Sequence, residues 1–179
     1  MSGEDLNQKL HLDYFKLYEL DPEFSIDVDV LKQKFYQLQK QYHPDNYINQ
    51  DQTIKDLALR LSIKINDGYN HLNSPLKRAI LLLEKHGVLV DFNKHTSLPP
   101  EFLANYMELH EEVDQARVNH DLMTISNINN QVLNHMKKLV EEIGLNFKDA
   151  NYLAILEQVK QLSFLTKFNN MISEALQQH

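Results

Sequence analysis

The sequence predicts an all-α protein: an N-terminal helical hairpin with short flanking helices, followed by a C-terminal antiparallel three-helix bundle. Apolar residues recur at spacings of three and four through most of the 179 residues. No alternating strand run bounded by hairpin turns occurs. Only 4 Gly and 5 Pro are present, so breaks between helices are few and easily placed. Composition narrows the function classes. The net charge of −7 argues against nucleic acid as the main partner. No apolar run approaches the roughly 20 residues that span a bilayer, so no membrane partner is expected. The absence of cysteine excludes disulfides, thiolate metal sites and cysteine nucleophiles, and fits a reducing compartment. Glu4 and Asp5 make the N-terminus unlike a signal peptide, and a cytoplasmic location is expected.

Residues 1–11 have little to bury and read as a flexible N-terminus. Tyr14, Phe15, Leu17 and Leu20 give a short first helix that stops near Asp21-Pro22. Asp27 is placed as the N-cap of the next helix, whose apolar face is Leu31, Phe35, Leu38 and Tyr42. Ile54, Leu57, Ala58, Leu61, Ile65, Tyr69 and Leu72 form the face of a returning helix, and pairing the two would bury both stripes. A shorter helix starts at Ser74-Pro75 and ends at Gly87, which has the position of a C-cap glycine. Residues 88–98 break the periodicity and read as a linker. Beyond it, Phe102, Tyr106, Leu109, Val113 and Ala116 have the spacing of a bundle seam. A second helix is expected over 121–143, ended by Gly144, and a third over 148–176.

Between the hairpin helices stands His43-Pro44-Asp45. Proline cannot continue a helix and pushes the residue before it toward extended backbone, so the tripeptide is a stiff, exposed corner. The helix before it, Val30 to Tyr42, carries Lys32, Lys34 and Lys40 and no acid. A basic helix, a His-Pro-Asp corner and a returning helix together resemble a J domain, the module that stimulates ATP hydrolysis by seventy-kilodalton heat-shock chaperones. On that resemblance the J domain covers 12–87 and the second domain 99–179.

The second domain narrows the resemblance. Asp13-Tyr14-Phe15, Phe35 to Asp45, Ile65-Asn66, Tyr69 and Leu72 to Leu83 look like the HscB family, as do Phe102-Leu103, Met107-Glu108-Leu109, Glu111-Glu112 and Leu162 to Lys167. These are J-type co-chaperones of iron–sulfur cluster biogenesis. The resemblance implies a non-enzymatic adaptor without a cofactor of its own. Its partners would be an HscA-like chaperone ATPase and an IscU-like scaffold, and it would act as a monomer. It places the chaperone contact at His43, Pro44 and Asp45. It also places a scaffold-binding apolar patch at Leu103, Met107 and Phe164, flanked by Glu108 and Glu111. Ala104 stands where methionine is common in the family, His110 where arginine is common, and Gln115 where an acid is common.

Each feature has a plainer explanation. His43-Pro44-Asp45 could be a turn whose aspartate caps the next helix. The lysines could be a solvated face, although three positive charges without an acid suit an acidic partner surface. Arg60 and Lys64 read as ordinary surface. Leu103 and Met107 could belong to a wide buried stripe, whereas Phe164 points about 150° from the stripe of Ile155, Leu156, Val159 and Leu162, as a binding residue would. Two further functions stay open: a J protein for a different client, and a metal-dependent enzyme using His43 and Asp45. For the latter, two residues fall well short of a ligand set.

Overall fold

The computed structural model describes residues 3–92 and 98–177. Of the linker expected over 88–98, residues 93–97 lie outside the described residues. The helices are α1 (Gly3–His11), α2 (Tyr14–Leu17), α3 (Val28–Tyr42), α4 (Gln52–Asn73), α5 (Pro75–Lys85), α6 (Pro100–Val118), α7 (Leu122–Lys148) and α8 (Tyr152–Gln177), with a 3-10 turn at Pro44–Tyr47. Among the described residues there is no strand. The chain divides into two compact units, Met1–Leu82 and Leu83–His179.

In the first unit α3 and α4 form the expected hairpin. Asp27 caps α3 by accepting from the backbone N–H groups of Asp29 and Val30. Phe35 stacks on Tyr69 with ring centroids 4.3 Å apart, and Gln39 Nε2 donates to Asn66 Oδ1 at 2.9 Å. The opposite side of α4 takes α1 and α2. Residues 3–11, expected to be flexible, instead form a helix whose Leu6 is fully buried. One fully buried leucine, with half-buried Leu10 a turn later, is enough, because α4 supplies further tethers. Lys64 Nζ donates to Leu10 O at 2.6 Å and also to Leu12 O, closing carbonyls at the end of α1. Lys64 is therefore a structural residue rather than plain surface, and its partial burial lowers its pKa. Tyr18 donates its hydroxyl to Ile65 O at 2.6 Å. Buried Arg78 lies 5.1 Å over the Phe24 ring and donates to Phe24 O at 2.7 Å and to Leu72 O. Burial pulls its pKa down to about 10.

In the second unit, consecutive helices α6, α7 and α8 form the bundle. Gln158 bonds both Asn146 and Glu142 across α7 and α8, at 3.0 Å each. Gly144 does not end α7, which runs on to Lys148. The buried stripe of Leu139 and Ile143 continues toward half-buried Phe147, and that burial outweighs the roughly 1 kcal/mol a helical glycine costs. The stop lies at Ala150, with φ 53°. Asn151 N–H donates to Asn146 O and Ala150 N–H to Phe147 O, the six-to-one and five-to-two bonds of a Schellman end. Glu19, His120 and Gly87 end their helices with the same positive φ. α8 therefore starts at Tyr152 rather than 148.

Candidate functional site

Two surfaces carry the residues singled out in the sequence, one in each unit. In the first unit α3 ends at Tyr42, and His43 takes the extended conformation that Pro44 imposes, φ −61° and ψ 134°. The 3-10 turn then swings the chain toward α4. Asp45 N–H donates to His43 Nδ1 at 3.3 Å, while Asp45 Oδ2 lies 3.5 Å from that nitrogen. Both side chains face solvent, with 54% and 77% of their surfaces exposed, so the pair is ordered yet open to a partner. Asn46 holds the corner: its Nδ2 donates to Lys40 O at 2.9 Å and Gln41 O at 3.3 Å, closing carbonyls that the end of α3 leaves open. Buried Tyr47 anchors the far end of the turn.

The three lysines separate. Lys32 and Lys40 are exposed, and with Tyr36, which is 59% exposed, they recur every four residues as one outward line leading to His43. Lys34 faces elsewhere. Its Nζ donates to Glu19 O at 3.2 Å and lies 3.5 Å from Glu19 Oε2, so it braces the end of α2. Neither Asn46 nor Tyr36 stands out in the sequence. The open carbonyls that follow any helix end could have pointed to Asn46. The i, i+4, i+8 spacing with two lysines could have pointed to Tyr36.

In the second unit Met107 is 69% exposed, Glu108 and Glu111 are exposed, and Leu103 is half-buried. Phe164 is not the free aromatic its position off the stripe suggests. It is half-buried, edge-on to Tyr106 at 5.6 Å and to Phe102 at 6.5 Å. The reason is that α8 has two neighbours: the stripe carrying Gln158 and Leu162 faces α7, and Phe164 with Phe168 faces α6. Up-down-up topology makes α6 and α8 parallel, and an aromatic ladder sets their register. Tyr106 meets Phe168 at 5.3 Å, and His110 stacks on Phe168 at 4.5 Å. On α7, His135 lies edge-on to Phe102 at 6.1 Å, and burial lowers its pKa. Burial likewise raises that of Tyr106. Leu103, Met107 and Phe164 are linked through Phe102 and Tyr106, the neighbours of Leu103 and Met107 on α6.

Neither surface gathers metal ligands. Among the described residues, no group of three or more His, Asp or Glu side chains could hold a metal ion. No described helix is long and apolar enough to cross a membrane.

Comparison with known proteins gives both surfaces a context. Residues 98–173 match the family model described as the HSCB C-terminal oligomerisation domain. A co-chaperone protein HscB homolog of Neisseria meningitidis serogroup C is 35% identical over 163 residues, 91% of this chain and 98% of its own. The chain belongs to the HscB co-chaperone family. A second HscB homolog, from Vibrio vulnificus, is 31% identical over 162 residues. The structure of the chaperone HscB from Vibrio cholerae superposes with a TM-score of 0.84 at 27% identity, covering 93% of this chain and 99% of that one. The human co-chaperone HscB superposes at 0.86 with 25% identity, covering 92% and 82%. These matches span both units, so this HscB-type chain has the J-domain and bundle architecture of its relatives throughout.

Proposed function

We propose that the protein carries an IscU-type iron–sulfur scaffold on the α6 and α8 side of its bundle to an HscA-type chaperone ATPase and stimulates that ATPase through His43-Pro44-Asp45. The J domain would comprise 12–87 and the scaffold-binding domain 99–179, in a cytoplasmic monomer. The corner supports the first contact. His43 and Asp45 are exposed while Asn46 and Tyr47 fix the backbone beneath them, so the two side chains can dock and bias a partner's conformational equilibrium without covalent work. The outward line of Lys32, Tyr36 and Lys40 adds positive charge and one aromatic anchor, which suits an acidic surface on the ATPase. Lys34 contributes through its brace to Glu19 rather than by direct contact.

The observation that carries the second contact is Met107. It is a large apolar side chain, mostly in solvent, with Leu103 one turn before it and Glu108 and Glu111 beside it. Phe164 supports the floor of this surface through Tyr106 and Phe102. Met107→Lys should lower scaffold affinity at least tenfold with an unchanged melting curve, read by calorimetric titration and circular dichroism. Phe164→Ala should also weaken binding, with a loss of bundle stability because it empties an aromatic cluster. Wild-type affinity in Met107→Lys would remove the patch, and binding of a different client in place of the scaffold would redirect the adaptor role.

A further inference from the structure

The outward side of α6 does not end at Glu111. Counting 100° per residue, Leu103, Met107, Glu111, Asp114 and Val118 fall within one sector, opposite buried Phe102, Val113 and Ala116. Val118 is 80% exposed, more so than Met107. Glu111, Asp114, Gln115, Val118 and Asn119 line one open cleft of about 320 Å³. The sector therefore reads apolar at its start, acidic in the middle and apolar at its end. The charge is one-sided: α6 carries Glu101, Glu108, Glu111, Glu112 and Asp114 against a single Arg117, which lies 4.0 Å from Asp114.

We infer that the scaffold-binding surface continues along α6 through Asp114 to Val118. There it would take a scaffold segment with basic side chains between two apolar anchors. Met107 and Val118 are eleven residues apart, about 16 Å along the helix, which sets the spacing of those anchors. This inference rests on the scaffold reading of Met107 above and extends it to a part of α6 that the sequence patch leaves out. Exposed charge facing opposite charge contributes mainly to specificity and association rate and is screened by salt, whereas a packed apolar anchor contributes to affinity. The two ends of the surface therefore respond differently to salt.

The test titrates the purified scaffold into the full-length chain by calorimetry, comparing wild type with Val118→Ser, Asp114→Lys and Met107→Lys. Val118→Ser should weaken binding about fivefold to tenfold at any salt. Asp114→Lys should weaken it about tenfold at low salt and much less at 0.5 M, because the contact is screened. Both side chains are exposed, so melting curves should match wild type. Wild-type affinity in both variants, alongside lost binding in Met107→Lys, would overturn the extension and leave the patch intact. No binding by the wild-type chain would overturn both. A change in self-association on sedimentation of Val118→Ser, with scaffold affinity unchanged, would assign the site to a second copy of this chain and overturn the proposal.

Discussion

Gly68 offers a test in which local propensity and tertiary packing predict opposite signs. It lies inside α4, where alanine is favoured over glycine by about 1 kcal/mol. A β-carbon at Gly68 would sit 2.9 Å from Cε2 of Tyr18 and 3.0 Å from Cδ1 of Tyr14. Tyr18 cannot simply retreat. It is 1% exposed, and its hydroxyl donates to Ile65 O at 2.6 Å. Overpacking of this kind costs about 1–3 kcal/mol. Loss of the hydroxyl's partner would add about 1–3 kcal/mol more, since both groups are buried. Setting the helix gain against these costs leaves Gly68→Ala less stable by about 1–5 kcal/mol. A unit of this size shifts by about 4–8 °C per kcal/mol. Thermal and urea unfolding of the full-length chain, followed by circular dichroism, measure the change. Asn70→Ala, at an exposed position of the same helix, serves as control and should be neutral or slightly stabilising. If Gly68→Ala melts at or above wild type, the close packing of α2 on α4 is wrong.

Ala150 ends α7 in a left-handed conformation that costs a non-glycine residue about 1 kcal/mol, so Ala150→Gly should raise the urea midpoint; an unchanged or lower midpoint would deny the strain. Tyr42 is held at a pKa of about 12, first by burial and then by Asp5, whose Oδ2 accepts its hydroxyl at 3.3 Å. The folded value exceeds the unfolded one of about 10. Its contribution is therefore intact below pH 10 and lost as pH rises toward 12. Tyr42→Phe should make the urea midpoint fall less steeply between pH 10 and 12. Tyr14, Tyr18, Tyr47 and Tyr106, whose pKa values are also raised, contribute to the remaining slope. An unchanged slope would remove Tyr42 from the alkaline response.

Much of the fold is legible because the helix faces are periodic and the caps chemical. Asp27, the Leu31 to Tyr42 stripe and Gly87 all read directly from residue type and spacing. What does not read is governed by contacts distant in sequence. Leu6 and Leu10 look like too little to bury until α4 is beside them, and Lys64 looks like surface until the carbonyls of Leu10 and Leu12 arrive. Glycine is an incomplete signal for a helix end: Gly87 follows the end of α5, but Gly144 lies inside a helix, and Glu19, His120 and Ala150 do the stopping elsewhere. At the two candidate surfaces, residue type singles out His43, Asp45 and Met107. Periodicity on a single helix cannot show that Phe164 has a second helix to pack on. Nor can it show that Lys34 is turned to Glu19, because those partners come from elsewhere in the chain.

The most direct measurement is the hydrolysis rate of the HscA-type ATPase, with and without the IscU-type scaffold, in the presence of wild-type chain and of the His43→Ala/Asp45→Ala variant. Wild type should stimulate hydrolysis, and more so with scaffold present. The variant should bind scaffold and melt like wild type yet give no stimulation, because both substituted side chains are mostly exposed. Stimulation by the variant equal to that of wild type would contradict the role assigned to the corner, and with it the coupling of scaffold delivery to ATP hydrolysis.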